Sequence, residues 1–153
     1  MNNIIYKIKR DIKGILICLL VAVALGSTAS CNNSDDLDAI FLGPTWRLSF
    51  LRDGDVVTNL SSSQIYTIRF FDGTFTAGTP SGAEISGKWE ADGSSKNRTF
   101  SCTNIRVVKG DISGDHIATN MIQYLQNANS YDGTTIYLQL KESKNKYIQF
   151  YNR

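Results

Sequence analysis

From Trp46 to the end of the chain, apolar residues alternate with polar ones in short runs that are separated by turn-forming dipeptides. Successive side chains of a β-strand point to opposite faces, so a period of two predicts strands with one buried face. Asp72-Gly73, between two such runs, is a residue pair preferred in two-residue hairpin turns. The pattern predicts about seven strands in one antiparallel sheet or half-closed barrel.

The predicted strands are centred on residues 46–50, 66–70, 74–76, 85–91, 100–108, 136–140 and 147–151. Their spacing predicts which aromatic side chains face the core, namely Trp46, Phe50, Phe70 and Phe150.

The period changes to that of a helix near residue 115, where a new set of apolar residues recurs three or four positions apart: Ile117, Met121, Leu125 and Ala128. Ser113 or Asp115 can cap the first turn. We therefore expect an α+β fold with one amphipathic helix before the last hairpin.

The first 30 residues have the pattern of a bacterial signal peptide. Four basic residues precede an apolar run of about 12 residues, which is shorter than the ~20 that a membrane-spanning helix needs. The run ends in Thr28-Ala29-Ser30-Cys31, which resembles the lipobox of bacterial lipoproteins, although Thr28 stands where leucine is commoner. The resemblance implies that Cys31 is lipidated and that the mature protein attaches to a membrane through this lipid.

Residues 32–38 are polar and acidic and show no periodicity. We therefore predict a solvated acidic tether over residues 31–42 and a single domain over residues 43–153. The run Ser34-Asp35-Asp36 resembles the export signal of surface lipoproteins of the Bacteroidota. It implies a location on the outer face of the outer membrane, with a plain linker as the alternative.

Charge and cysteine content restrict the partners of the mature chain. The whole chain has 16 basic and 14 acidic residues, of which the leader carries four and one, so 12 bases and 13 acids remain. This near balance predicts no nucleic-acid partner. With Cys18 in the leader and Cys31 acylated, Cys102 has no partner for a disulfide.

The order of the motifs resembles the META domain, the family that includes the HslJ-type heat-shock lipoproteins. Five segments carry the resemblance: the aromatic-x-leucine opening at 46–48, the phenylalanine-rich hairpin at 68–78, the Gly-x-aromatic strand at 87–89, the helix at 117–125 and the closing hairpin at 136–150. The family's Cys-Asn pair is replaced by Thr79-Pro80-Ser81, and its cysteine before the helix is missing near Gly110. Because the family has no established catalytic residues, the resemblance implies none here.

A weaker resemblance is to lipocalin-like barrels, which open on Gly-x-Trp. The segment Gly43-Pro44-Thr45-Trp46 is one residue longer than that motif. It implies, as an alternative, a carrier that holds a small apolar ligand inside a barrel.

No group of residues has the spacing of a catalytic or metal site. His116, the single histidine, stands at the start of the predicted helix without a Gly-x-Ser-x-Gly motif or an orienting acid. Residues 111–115 have the residue types of a calcium loop but not the spacing of an EF-hand. Two carboxylate pairs also match no motif: Asp53 with Asp55, and Glu84 with Glu90. The sequence predicts no enzyme, metal or cofactor.

Tyrosines that alternate with core positions are the remaining candidates for a binding site. Tyr137, Tyr147 and Tyr151 share strand faces with Gln or Lys, so they can form an exposed platform for a sugar or a protein. The sequence thus predicts a surface-anchored, non-catalytic module that binds an envelope protein or glycan.

Overall fold

The computed structural model describes residues 33–93 and 98–152. Within them the chain adopts an α+β fold of nine mostly antiparallel strands and two helices, α1 (Asn33–Phe41) and α2 (His116–Asn127). The strands in chain order are β1 (Thr45–Asp53), β2 (Val56–Asn59), β3 (Thr67–Phe71), β4 (Thr74–Gly78), β5 (Glu84–Asp92), β6 (Thr99–Lys109), β7 (Ser130–Gly133), β8 (Tyr137–Ser143) and β9 (Lys146–Asn152).

Eight of the strands form a ring, because β1 pairs with β3 at one edge and with β9 at the other. β2 pairs with the second half of β1 and lies outside this ring. The ring is weakest between β6 and β7, where Thr99 and Ser130 are the one registered pair. α2 packs against β6 and β8, the two strands that flank β7, and against β9.

The predicted count of seven strands is wrong, because β2 and β7 were not recognised. All four residues of β2 are exposed, so this strand has no alternation of buried and exposed positions to detect. β7 is four residues long and includes Asp132-Gly133, a pair typical of turns. The Asp72-Gly73 hairpin turn is confirmed: Phe71 pairs with Thr74 across it.

A β-bulge in β1 overturns one predicted core residue. Trp46 and Leu48 are buried as expected, but the register with β9 shifts between Leu48 and Phe50. A bulge adds one residue to a strand and therefore reverses the faces of the residues that follow. Leu51 is consequently buried, whereas Phe50 lies partly exposed on the outer face, with its ring centroid 5.9 Å from that of Tyr147.

The predicted tether over residues 31–42 is also wrong for residues 33–41, which form α1. Leu37, Ile40 and Phe41 have the i, i+3, i+4 spacing of one helix face, and they pack against the core. Trp46 Nε1 donates a hydrogen bond of 3.1 Å to the Ile40 carbonyl, which lies in the last turn of α1. The domain therefore includes α1 and does not begin at residue 43.

Phe41 lies at the centre of the aromatic core. It is 0 % exposed, and its ring stacks on Trp89 at a centroid distance of 4.7 Å. Three further rings surround it at 5.1–5.7 Å, those of Phe70, Phe100 and Tyr131. Because these residues belong to four different strands, α1 joins strands that are distant in sequence.

α2 confirms the predicted amphipathic helix. Ala118, Met121 and Leu125 are buried in the common core. Asp115 is the N-cap, and its Oδ1 accepts a hydrogen bond of 2.9 Å from the Ala118 amide. The same oxygen accepts a bond of 2.8 Å from the Tyr66 hydroxyl, so the cap also ties α2 to the start of β3.

Replacing Phe41 should unfold the domain far more easily than replacing its neighbour. Phe41→Ala removes the ring that four strands share, and we expect the free energy of unfolding to fall by about 3–5 kcal/mol in urea denaturation. Leu42→Ala is the control: Leu42 is 39 % exposed, and its loss should cost less than about 1 kcal/mol. Equal stability of the two variants would show that α1 is not part of the cooperative unit.

The contact between Tyr66 and Asp115 predicts a loss of stability at high pH. Burial, the hydrogen bond to Asp115 and the charge of that carboxylate raise the pKa of Tyr66 from 10.0 to about 12. Below pH 10 the phenol is neutral in both states. Between pH 10 and 12 the unfolded chain loses this proton and the folded chain keeps it, so stability should fall as pH rises.

In Tyr66→Phe the free energy of unfolding at pH 7 should fall by about 1.5–3 kcal/mol, because the hydrogen bond to the Asp115 carboxylate is gone. The part of the loss of stability between pH 10 and 12 that comes from Tyr66 should also be absent in this variant. Urea denaturation at pH 7, 10 and 12 measures both effects. Tyr147→Phe, on the outer face, is the control. An identical decline in Tyr66→Phe and the wild type would contradict the prediction.

Candidate functional site

The three candidate tyrosines lie on the outer face of the β8–β9 hairpin. Tyr137 pairs directly with Tyr151, and Tyr147 lies opposite Lys141. All three are partly exposed, while the residues that alternate with them face the core. Tyr151 lies four positions after Tyr147 along β9, which corresponds to about 13 Å of strand.

A glutamine pair fills the space between the tyrosines. Gln139 pairs with Gln149, and the Gln139 side-chain amide donates a 2.7 Å hydrogen bond to Gln149 Oε1. The result is a strip of aromatic, amide and aromatic side chains, which we call the tyrosine face: Tyr137, Gln139, Tyr147, Gln149 and Tyr151. Such a strip offers both apolar ring area and hydrogen-bonding groups.

β1 extends this face with residues that the sequence analysis did not assign to it. Arg47 lies opposite Tyr151, Phe50 opposite Gln149, and Arg52 opposite Tyr147. The Arg47 guanidinium donates to the Ser62 carbonyl at 2.8 Å, and Arg52 Nε donates to the Gly54 carbonyl at 3.0 Å. The pairing of β1 with β9 joins the two ends of the domain, so no local sequence pattern reveals it.

A polar cleft of about 180 Å³ lies between α2, β1, β2 and the ends of β8 and β9 that flank their turn. Lys146 Nζ lies 3.1 Å from Glu142 Oε2 and 4.0 Å from Asp53 Oδ2. It also lies 5.9 Å from the centroid of the Tyr124 ring. The hydrogen bond and charge of Glu142 raise the pKa of Lys146, which favours its charged form beside this carboxylate.

His116 and Cys102 lie in very different surroundings. His116 is exposed at the first residue of α2. Cys102 is 7 % exposed within the core, and burial raises the pKa of its thiol, which disfavours the nucleophilic thiolate. The hydrogen bonds and ion pairs of residues 33–93 and 98–152 include none between His116 and Cys102, so these two side chains do not form a Cys/His pair.

The carboxylates considered as ligands have structural neighbours instead. Asp111 accepts a 2.8 Å hydrogen bond from the Ser113 amide, and the hydrogen bonds from Ser113 lower the pKa of Asp111. Asp115 caps α2, as described above. Glu84 and Glu90 are exposed six residues apart on β5, or about 20 Å. Residues 33–93 and 98–152 contain no cluster of three His, Cys, Asp or Glu side chains placed to hold a metal.

The signal peptide, the lipobox and Cys31 lie outside the described residues. Among the residues that the structure does describe, no helix has the length and apolar character required to cross a bilayer.

Comparisons with known proteins identify the family. No curated protein matches the chain. The crystal structure of a DUF4847 family protein from Bacteroides vulgatus, determined at 1.00 Å, is similar with a TM-score of 0.55 and 26 % sequence identity. The match covers 76 % of this chain and 97 % of that one. The family model described as "Domain of unknown function (DUF4847)" matches residues 32–152, a range that begins just ahead of α1. The chain therefore belongs to the DUF4847 family.

Proposed function

We propose that this protein is an outer-membrane lipoprotein, exposed at the cell surface, that binds an envelope protein or glycan without catalysing a reaction. One observation carries the proposal: the tyrosine face presents three partly exposed rings in one strip on the outside of a domain whose interior is filled. The binding surface is then the outer face of the sheet.

The chemistry of the tyrosine face suits a partner that offers flat apolar area with hydroxyl or amide groups. Tyrosine rings lose little conformational entropy on binding and contribute strongly to interfaces. Tyr137 and Tyr151 lie side by side, and the glutamines beside them supply amide donors and acceptors. A sugar ring can stack on the aromatic pair while its hydroxyls bond to the amides.

A lipocalin-like carrier is the weaker proposal. The closed ring of strands resembles a barrel, but Phe41 and the rings around it occupy the interior. α1 is bonded to Trp46 at the beginning of β1. α2 is bonded through Tyr124 to the Arg52 carbonyl near the end of β1, and its cap Asp115 accepts a bond from Tyr66, just before β3. Two helices thus occupy the places where a ligand would enter.

Membrane attachment is proposed through lipid on Cys31. The organism of the similar crystal structure, a Bacteroides, agrees with the resemblance of the Ser34-Asp35-Asp36 run to a Bacteroidota export signal. Only Asn32 separates Cys31 from α1, so a lipid on this cysteine would hold the domain close to the membrane surface. The relationship to META domains stays a prediction.

The tyrosine face can be tested with a pair of substitutions. Tyr137→Ala combined with Tyr151→Ala should weaken binding to neutral oligosaccharides, such as cellohexaose or maltohexaose, at least about tenfold in calorimetry. Ile65→Ala, which removes an exposed side chain elsewhere, is the control. For a protein partner, a photo-crosslinking amino acid at position 137 should yield a discrete adduct on intact cells, and one at position 65 should not. The absence of both sugar binding and a crosslinked adduct would contradict the proposal.

The anchor can be tested independently of any ligand. In intact cells the wild-type protein should carry a diacyl-modified Cys31, seen by mass spectrometry, and should be degraded by added protease. Cys31→Ala should lose the lipid and leave the membrane fraction. A protein that is lipidated but fully protected from protease would move the proposed site of action to the periplasm.

A further inference from the structure

A second outer face of the ring carries a concentration of positive charge. The register across four strands aligns Arg69 of β3, Thr76 of β4, Ser86 of β5 and Arg106 of β6 in one row. In the adjacent row, Thr74 lies beside Lys88. These six outward-facing residues form what we call the basic face: Arg69, Thr74, Thr76, Ser86, Lys88 and Arg106.

A β-bulge places Arg106 on this face. Ser86 pairs with Arg106, but Lys88 pairs with Thr103, so two residues of β6, Asn104 and Ile105, lie opposite Gly87. In an unbroken ladder Ile105 would pair with Ser86, and Arg106 would point toward the core. The bulge reverses the phase and turns the guanidinium outward.

The bulge requires an unusual backbone conformation. Asn104 has φ = 54°, and it is the one non-glycine residue with positive φ among residues 33–93 and 98–152. Asparagine tolerates this left-handed conformation better than most residues, but it remains less favourable than a regular strand. Unfavourable backbone conformations of this kind concentrate at functional sites.

The cations of the basic face are available to a ligand. Arg69, Lys88 and Arg106 are exposed, and none of them takes part in the ion pairs formed by the described residues. Arg69 lies over the Phe71 ring at 5.3 Å. The two rows contain no carboxylate. Glu84 and Glu90 lie in the rows on either side of them, with Glu84 opposite Lys109 and Glu90 opposite Ser101 in the register. This local excess of positive charge contrasts with the near-neutral chain beyond the leader.

A depression of about 430 Å³ lies at the same place, and Lys88 and Arg106 line it together with Thr74, Ser86 and Asn104. Gly87 and Ile105 complete its lining, so two cationic and two hydroxyl side chains surround a partly apolar surface. Three strand spacings separate Arg69 from Arg106, or about 14 Å, which spans more than one sugar ring. Arginine binds carboxylate and sulfate through two parallel hydrogen bonds, and Ser and Thr hydroxyls can bond to sugar hydroxyls.

We propose that the basic face binds an anionic polysaccharide, one that bears carboxylate or sulfate groups along its chain. The positive charge of the face attracts the anionic groups, and the hydroxyls of Thr74, Thr76 and Ser86 can bond to those of a saccharide. This site is separate from the tyrosine face and does not depend on it.

The test uses the purified full-length protein and polygalacturonate as the carboxylated probe, with dextran sulfate as the sulfated one and dextran as the neutral one. Lys88→Ala combined with Arg106→Ala should weaken binding to at least one charged probe about tenfold or more. The slope of log affinity against log salt concentration should fall by about two, because two ion pairs are lost. Arg106→Lys should retain part of the affinity.

Two control variants separate this site from other effects. Lys144→Ala removes one positive charge from the exposed β8–β9 turn, outside the basic face, and should bind like the wild type. Tyr137→Ala with Tyr151→Ala should also leave binding to the charged probes unchanged, so the two sites fail independently. Three results would overturn the proposal. The Lys88/Arg106 variant could bind the charged probes with wild-type affinity, the wild type could bind dextran as tightly as the charged probes, or it could bind single-stranded DNA of equal charge more tightly than them.

Discussion

The packing of Phe41 among Trp89, Phe70, Phe100 and Tyr131 is the contact that joins the parts of this domain. The ring is weakly closed between β6 and β7, where the strands share one registered pair. Phe41 contacts side chains from both of these strands, and burial of such a ring contributes several kcal/mol to stability. A helix at the start of the domain thereby compensates for backbone hydrogen bonds that the sheet lacks.

Two β-bulges decide what the outside of the ring presents. The bulge in β1 exposes Phe50 beside the tyrosine face and buries Leu51 in its place. The bulge between β5 and β6 turns Arg106 outward to join Lys88. In each case one added residue moves a large side chain between core and surface. The basic face therefore depends on a local departure from regular pairing, and so does the presence of Phe50 beside the tyrosine face.

The position of α1 also changes how the proposed anchor acts. A flexible tether would let the domain move away from the bilayer, but an ordered helix that starts two residues after Cys31 leaves little free chain. With lipid on that cysteine, the proposed anchor would keep the domain close to the membrane surface.

Local patterns in the sequence were sufficient for the α+β class, for α2 with its Asp115 cap, for the Asp72-Gly73 hairpin and for the outward orientation of the three tyrosines. Each of these features depends on residues within a few positions of one another. The hydrophobic period and the residue types of a turn are therefore sufficient to predict them. Even α1 left a local signal in Leu37, Ile40 and Phe41, which the acidic composition around them obscured.

Closure of the ring, the bulges and the neighbours of the tyrosines depended on tertiary structure. The β1–β9 pairing joins residues about a hundred positions apart, and no periodicity within one segment encodes its register. A bulge forms where two strands accommodate each other, so its position is a property of the pair. For that reason the sequence identified three tyrosines, and only the folded chain brought Arg47 and Phe50 beside them and Arg106 beside Lys88.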